Sequence, residues 1–121
     1  MKTWLIAGAL MAALSVLIGA FGAHGLKSRV TSLDLEIFET GVKYQMYHSL
    51  GLILIGIIGF HLPHHLLRLP TYLLFSGTLI FSGSLYILVL TNIRWLGAIT
   101  PIGGICLVFG WTLLSLNIYR Y

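Results

Sequence analysis

The chain has 121 residues, of which 58% are hydrophobic and only 8% are charged. A soluble domain carries about 25% charged residues, so this composition excludes an ordinary soluble fold. It also excludes a disordered chain, because disorder requires low hydrophobicity and high charge. The sequence therefore predicts one transmembrane domain, residues 1–121, surrounded mainly by lipid.

The cysteine and the charged residues exclude two further kinds of protein. The single cysteine, Cys106, cannot form a disulfide within the chain. The basic residues are scattered singly, whereas nucleic-acid-binding proteins cluster them on one face, so we predict no nucleic-acid partner. Most of them lie at the ends of apolar stretches, where they reach lipid headgroups: Lys2, Lys27, Arg29, Lys43, Arg68, Arg94 and Arg120.

Four apolar stretches are each long enough to cross the hydrocarbon core, which takes about 20 helical residues. Because backbone polar groups cannot stay unpaired in lipid, each stretch is predicted to be an α-helix. The predicted fold class is all-α, an integral membrane four-helix bundle with spans at about 4–22, 42–60, 71–90 and 95–119. The first stretch also resembles a signal peptide, with Lys2 before an apolar core and a cleavage signal at 20–22. Its length favours a span.

The segment before the second span also has a helical pattern, with apolar residues at helical spacing. Ser32 is the predicted N-cap, and Glu39 and Lys43 form a favourable i,i+4 pair. One helix is therefore predicted to begin near Leu33 and to continue into the second span. Its start is an interfacial amphipathic extension. All the acidic residues lie there and are expected to be solvated: Asp34, Glu36 and Glu39.

Pro101 lies inside the fourth span and allows two interpretations. In one, Thr100 caps a helix that has Pro101 at its first position. In the other, a helix that begins at Trp95 is kinked where the proline removes a hydrogen bond. We favour the kink, because residues 95–99 are too apolar to lie in water. Gly103 and Gly104, just beyond, would let another helix approach closely.

Four spans place both ends of the chain and the loop at 61–70 on one side, called side A. The segment 23–41 and the turn at 91–94 then lie on the opposite side, side B. Aromatic residues mark both boundaries in this register. The basic residues do not decide which side faces inward, because side A has three of them and side B three or four.

Polar residues of the four spans lie mostly near side B. At 1.5 Å per residue, His48, Ser84 and Pro101 each lie roughly 9 Å inside this boundary. Tyr44 and His48 share a helix face because they are four residues apart. We therefore predict a polar layer, accompanied by residues for helix packing or a kink: His24, Tyr44, Gln45, His48, Ser84 and Tyr86, with Gly19, Gly22, Pro101, Gly103 and Gly104.

His48 allows more than one interpretation. An ionisable side chain inside a membrane indicates a site that handles protons or a ligand. Alternatively, the neutral ring hydrogen-bonds a neighbour such as Ser84 or Tyr86 and ties helices together. His24 or His48 would serve as an axial ligand if the bundle held haem. A single buried histidine is weak evidence for haem, so we predict no cofactor.

The loop on side A carries three histidines in the pattern H-x-x-H-H. A zinc site requires three or four ligands, and Pro63 interrupts any helix there, so we predict a wet interfacial loop and no metal. The chain also has no carboxylate pair, phosphate-binding loop or nucleophile–base spacing. We therefore predict no catalytic residues and no enzyme activity. The three histidines are His61, His64 and His65.

Five segments, taken in order, resemble a family of small inner-membrane proteins known as domain of unknown function 423. The segments are GAFGAHG (19–25), YQMYH (44–48), FSGSLY (81–86), TPIGG (100–104) and GW (110–111). The resemblance covers essentially the whole chain; the family includes the YgdD-like and YwdK-like proteins. It implies a four-helix, multi-pass protein of the bacterial cell (inner) membrane. The family has no established reaction, cofactor or catalytic residue, so none is implied here.

These observations lead to two functional hypotheses. The first is a non-enzymatic membrane protein, a partner, stabiliser or assembly element that associates with itself or with another membrane protein. The second is a small-molecule or lipid site, for binding or transport, in the polar layer near His48. The chain has no internal repeat of the kind that transporters usually carry, which argues against transport by one copy.

Overall fold

The computed structural model describes residues 1–121 and is built from helices alone. The four α-helices are α1 (Lys2–Phe21), α2 (Ser32–Ile58), α3 (His64–Thr91) and α4 (Thr100–Arg120). A π-helical turn, Gly22–Leu26, extends α1, and a 3₁₀ turn, Arg94–Ala98, precedes α4. The predicted all-α fold is confirmed.

Three of the helices are long and apolar enough to cross a membrane: α1 with its π-helical turn, α3, and α4 with its 3₁₀ turn. Helix α2 has 27 residues, but Lys43, Gln45 and His48 interrupt its apolar half. Gln45 and His48 are buried within the protein. That α2 forms a fourth span stays a prediction.

The helices pack in chain order, α1 on α2, α2 on α3 and α3 on α4. No Cα atom of α1 lies within 8 Å of α4, so these two helices form the outer edges. On side A, Trp4 of α1 packs edge-on against Tyr72 and Phe75 of α3, with ring centroids 5.3 and 5.5 Å apart. All four helices contribute to the main core: Met11, Leu52, Ile55, Leu67, Leu74, Leu107 and Leu114.

Helix α2 begins near the predicted residue and runs without a break into the apolar half, as expected. Its N-cap is Thr31 rather than Ser32. Thr31 has extended backbone angles, and its Oγ1 accepts a hydrogen bond from the N–H of Asp34 at 3.2 Å. The expected pair between Glu39 and Lys43 is not formed. The one ion pair with an N–O distance within 4.0 Å joins Arg94 and Asp34.

The predicted kink at Pro101 is wrong, because α4 begins at Thr100 and has Pro101 in its first turn. A helix start is where the missing N–H of proline costs nothing. The residues before it form the 3₁₀ turn, in which Trp95 is 66% exposed. The boundary region of a membrane accommodates such an indole, so these apolar residues need no buried helix.

The predicted loop at residues 61–70 is too long. Helix α3 already begins at His64, after Pro63, and Pro70 lies inside it. Because proline has no N–H, the carbonyl group of Leu66 lacks its usual helical donor. Asn117 of α4 supplies one, with its Nδ2 2.7 Å from that oxygen. The neighbouring helix thus satisfies the backbone group that the proline leaves free.

Candidate functional site

Gln45 connects three helices near side B. The side chain of this buried residue of α2 points between α1 and α3. Its Nε2 donates to the carbonyl oxygen of Met11 in α1 at 2.9 Å. Its Oε1 accepts a hydrogen bond from the hydroxyl of Tyr86 in α3 at 2.7 Å. Both ends of the amide are therefore engaged in bonds between helices.

Two serines next to Gln45 also bond across helices. Ser15 of α1 donates to the carbonyl oxygen of Val42 at 3.0 Å, and Ser82 of α3 donates to that of Gly41 at 2.7 Å. Gly41 is needed here, since a Cβ atom would lie 2.8 Å from the ring of Tyr86. Short side chains of this kind are common where membrane helices approach closely.

His48 is held between α2 and α4. Its Nδ1 lies 2.7 Å from the carbonyl oxygen of Tyr44, which can only accept, so Nδ1 carries the proton. Its Nε2 accepts a hydrogen bond from the indole N–H of Trp111 at 3.1 Å. This arrangement requires the neutral imidazole. The ring therefore ties two helices together, as one interpretation of the sequence expected. Its partner is Trp111, whereas Ser84 or Tyr86 was the expected partner.

Tyr44 lies beside His48 without joining this network. The two rings are stacked with centroids 6.1 Å apart, and Tyr44 also contacts Phe81 of α3 at 4.5 Å. Tyr44 is 39% exposed, and its hydroxyl forms no hydrogen bond within the protein. Its ring instead forms part of a surface groove.

Ser84 and Thr100 form a separate contact between α3 and the start of α4. Their hydroxyl oxygens are 2.6 Å apart, and Ser84 also donates to the carbonyl oxygen of Phe81. His24 is exposed in the π-helical turn and has no hydrogen-bond partner in the protein. The predicted layer is therefore divided among three groups, around Gln45, His48 and Ser84, and His24 lies outside them.

The four glycines of the predicted set have two different environments. Gly19, Gly22 and Gly103 lie where helices or rings approach closely, and added Cβ atoms would lie 3.1, 2.8 and 2.5 Å from the nearest atom, respectively. A Cβ on Gly104 would meet only the ring of Phe81, at 3.8 Å. Gly104 faces open space instead.

That space is an open groove of about 730 Å³ between α2 and α4. Tyr44 and Tyr47 of α2 form one wall, Val108 and Trp111 of α4 form the other, and Phe81 of α3 also lines it. We call it the α2–α4 groove. The hydrogen bond between Trp111 and His48 is the one that crosses it. No Cα atom of α2 lies within 8 Å of α4, so the groove separates the two backbones.

Asp34 is not the solvated acid that the sequence predicts. Arg94 binds it with two hydrogen bonds, Nη1–Oδ1 at 2.9 Å and Nη2–Oδ2 at 2.7 Å, and the side chain of Asp34 is only 10% exposed. These bonds hold the pKa of the Asp34 carboxyl below its ordinary value. The 3₁₀ turn brings Arg94 from the far end of α3 to the start of α2, which spacing along the chain does not reveal. Glu36 and Glu39 are exposed, as expected.

The three histidines of side A do not lie in one wet loop. His64 and His65 form the first turn of α3, which corrects the loop prediction. His64 Nε2 lies 3.1 Å from the carbonyl oxygen of Gly59, at the end of α2. The structure contains no cluster of three residues suited to holding a metal ion.

Comparisons with known proteins give a consistent result. The family described as protein of unknown function (DUF423) matches residues 18–104. A relative from Staphylococcus haemolyticus, UPF0382 membrane protein SH2409, is 48% identical over 121 residues, which cover all of this chain and 98% of the relative. UPF0382 membrane protein YwdK from Bacillus subtilis is 42% identical over 122 residues, covering all of this chain and 99% of that protein. No solved structure matches.

Proposed function

This chain belongs to the DUF423 family of proteins of unknown function, and from this premise we propose a specific role for it. It is a multi-pass protein of the bacterial cell (inner) membrane that catalyses no reaction. It acts as a partner, stabiliser or assembly element that binds a transmembrane helix of another protein chain. The resemblance predicted from the five sequence segments is confirmed, and the relatives are named as membrane proteins.

Four crossings are the topology that best accounts for α2. The helix is about 40 Å long at 1.5 Å per residue, more than the roughly 30 Å of the hydrocarbon core. It packs along both α1 and α3, which are themselves apolar enough to cross. Its polar residues Gln45, His48 and Ser49 are buried against the protein and hydrogen-bonded, which keeps them from lipid. A helix of this kind crosses the bilayer alongside its neighbours.

The α2–α4 groove is the observation that carries the partner role. It is lined largely by apolar and aromatic side chains, and Gly104 leaves space beside Phe81. Association of helices in a membrane depends on close van der Waals packing around small residues, because lipid already solvates apolar surfaces. A helix that inserts its side chains beside Gly104 would gain such packing. His48 would not bind the partner through its ring nitrogens, because both are already hydrogen-bonded.

Filling the groove tests this role. In Gly104→Leu the new side chain would occupy the groove, and its Cβ would meet only the Phe81 ring at an ordinary contact distance. We expect the substitution to reduce severalfold the amount of partner that co-purifies after gentle solubilisation from native membranes. Mass spectrometry of the isolated complex then distinguishes a second copy of this chain from a different membrane protein.

The matched control is Gly83→Leu. A Cβ atom on Gly83 would have no other atom within 4 Å, and Gly83 does not line the α2–α4 groove. This variant should retain the partner at the wild-type level. Equal recovery of the partner with both variants would place the contact elsewhere. A wild-type protein that always isolates as a single chain would refute the partner role.

A further inference from the structure

A second cleft, of about 520 Å³, lies at side B and shares no lining residue with the α2–α4 groove. The end of α1, the start of α2 and the end of α3 surround it. Its outer part is polar and contains Arg29, Asp34, Asn92 and Arg94. We call it the side-B cleft.

The inner part of the side-B cleft is apolar. Phe21 at the end of α1 and Leu90 at the end of α3 are about half exposed and line it. Leu26 and Val89 also line it and are buried. Along the end of α3, the lining changes from Val89 and Leu90 to Asn92 and Arg94, the direction in which a membrane changes from hydrocarbon to headgroups.

The guanidinium of Arg94 has donors that the protein does not use. Its five N–H groups include two that bind the oxygens of Asp34, and the side chain remains 54% exposed. The rigid pair with Asp34 fixes the plane of the guanidinium, so the remaining donors have a defined direction. Arg29 is exposed and forms no ion pair. Two guanidinium groups and one carboxylate give the cleft a net positive charge.

From this arrangement we propose that the side-B cleft binds one anionic phospholipid. The headgroup phosphate accepts hydrogen bonds from Arg29 and Arg94, and an acyl chain lies along Phe21 and Leu90. Planar guanidinium groups suit phosphate oxygens, and basic pockets between membrane helices are known to hold anionic headgroups. The site is separate from the α2–α4 groove and does not depend on the partner role.

Lipid binding to the purified full-length protein tests the proposal. The protein in uncharged detergent is titrated with dioleoylphosphatidylglycerol, with dioleoylphosphatidylcholine and with inorganic phosphate, and bound lipid is measured by native mass spectrometry. We expect phosphatidylglycerol to bind more tightly than phosphatidylcholine. Arg29→Gln should weaken the binding of phosphatidylglycerol about fivefold. This corresponds to the roughly 1 kcal/mol that one basic residue contributes near an anionic lipid.

Arg68→Gln is the matched control, because Arg68 is also exposed and unpaired but lies on side A. It should leave the binding of phosphatidylglycerol unchanged. Leu90→Ala should weaken the binding of phosphatidylglycerol and leave any binding of inorganic phosphate unchanged. The proposal is overturned if Arg29→Gln and Arg68→Gln bind the lipid equally, or if phosphatidylcholine binds as well as phosphatidylglycerol. It is also overturned if phosphate at the same concentration displaces the lipid, because the site would then select a free anion.

Discussion

Helix α4 meets its two neighbours in different ways. Toward α3 it presents Gly103 and Gly110, where added Cβ atoms would lie 2.5 Å from the backbone nitrogen of Phe81 and 2.8 Å from Leu74. Toward α2 it presents Trp111, whose indole crosses the α2–α4 groove to His48. Small residues thus bring two backbones together on one face, and a large aromatic ring spans the distance to a third helix on another. The two faces should respond differently to substitution.

The largest difference should appear between adjacent glycines. In Gly103→Leu the new side chain would collide with the backbone of Phe81, which cannot move without separating α3 from α4. We expect a loss of about 3 kcal/mol in the free energy of unfolding, the upper end of the range for overpacking. Gly104→Leu should cost less than about 0.5 kcal/mol, because it enters open space. Thermal unfolding in detergent compares the two variants.

One result of the comparison between Gly103→Leu and Gly104→Leu would contradict the prediction. If both leucine variants unfold at the same temperature, the close approach of α3 and α4 at Gly103 is not what stabilises this contact. A Gly103→Ala variant gives an intermediate check, since its Cβ alone should produce part of the loss.

The contact between α4 and α3 can also be tested at Asn117, which donates a hydrogen bond to the carbonyl group of Leu66. Asn117→Leu leaves that oxygen without a donor, and we expect a cost of about 1 to 2 kcal/mol for an unsatisfied backbone group. Pro70→Ala restores the missing N–H of α3. The loss caused by Asn117→Leu should therefore be smaller in a Pro70→Ala background, which a double-mutant cycle on the free energy of unfolding measures. Equal losses in both backgrounds would show that Asn117 does not compensate for the proline.

The smallest of the three differences should be the coupling energy of the bond across the α2–α4 groove. His48→Phe and Trp111→Phe each remove the same hydrogen bond, which is worth roughly 0.6 kcal/mol in a membrane protein. The two substitutions together should cost less than the sum of the single losses, because the bond can be lost only once. Chemical unfolding of the four proteins gives the coupling energy. A coupling of zero would mean that the indole and the imidazole are merely adjacent.

The fold was predictable from the sequence because it depends on local quantities. The scarcity of charge and the lengths of the apolar stretches predict helices in lipid, and helical spacing from Leu33 onward predicts that α2 is continuous. The ends of helices were harder. Pro101 and Pro70 give the same local signal. Pro101 lies in the first turn of α4, whereas Pro70 lies inside α3, where Asn117 donates to the carbonyl group that the proline leaves free. That difference depends on a neighbouring helix.

Which side chains meet across helices was less predictable than where they lie in depth. Depth alone placed Gln45 and Tyr86 near the same boundary, and the structure joins them by a hydrogen bond. The depth argument did not include Trp111, whose long indole reaches His48 beside Gly51, where a Cβ atom would lie 2.9 Å from the indole ring. The segment GW was a signal for this residue in the family resemblance. Asp34 and Arg94 shared side B in the sequence, but only the 3₁₀ turn brings them together.

The hydrogen bond between Asn117 and Leu66 also bears on the order of events during synthesis. The donor that α3 needs lies 51 residues further along the chain, near the end of α4. Until that helix is made, the first turn of α3 carries a carbonyl oxygen that has neither its helical donor nor Asn117. Helix α3 is therefore completed by a residue translated much later.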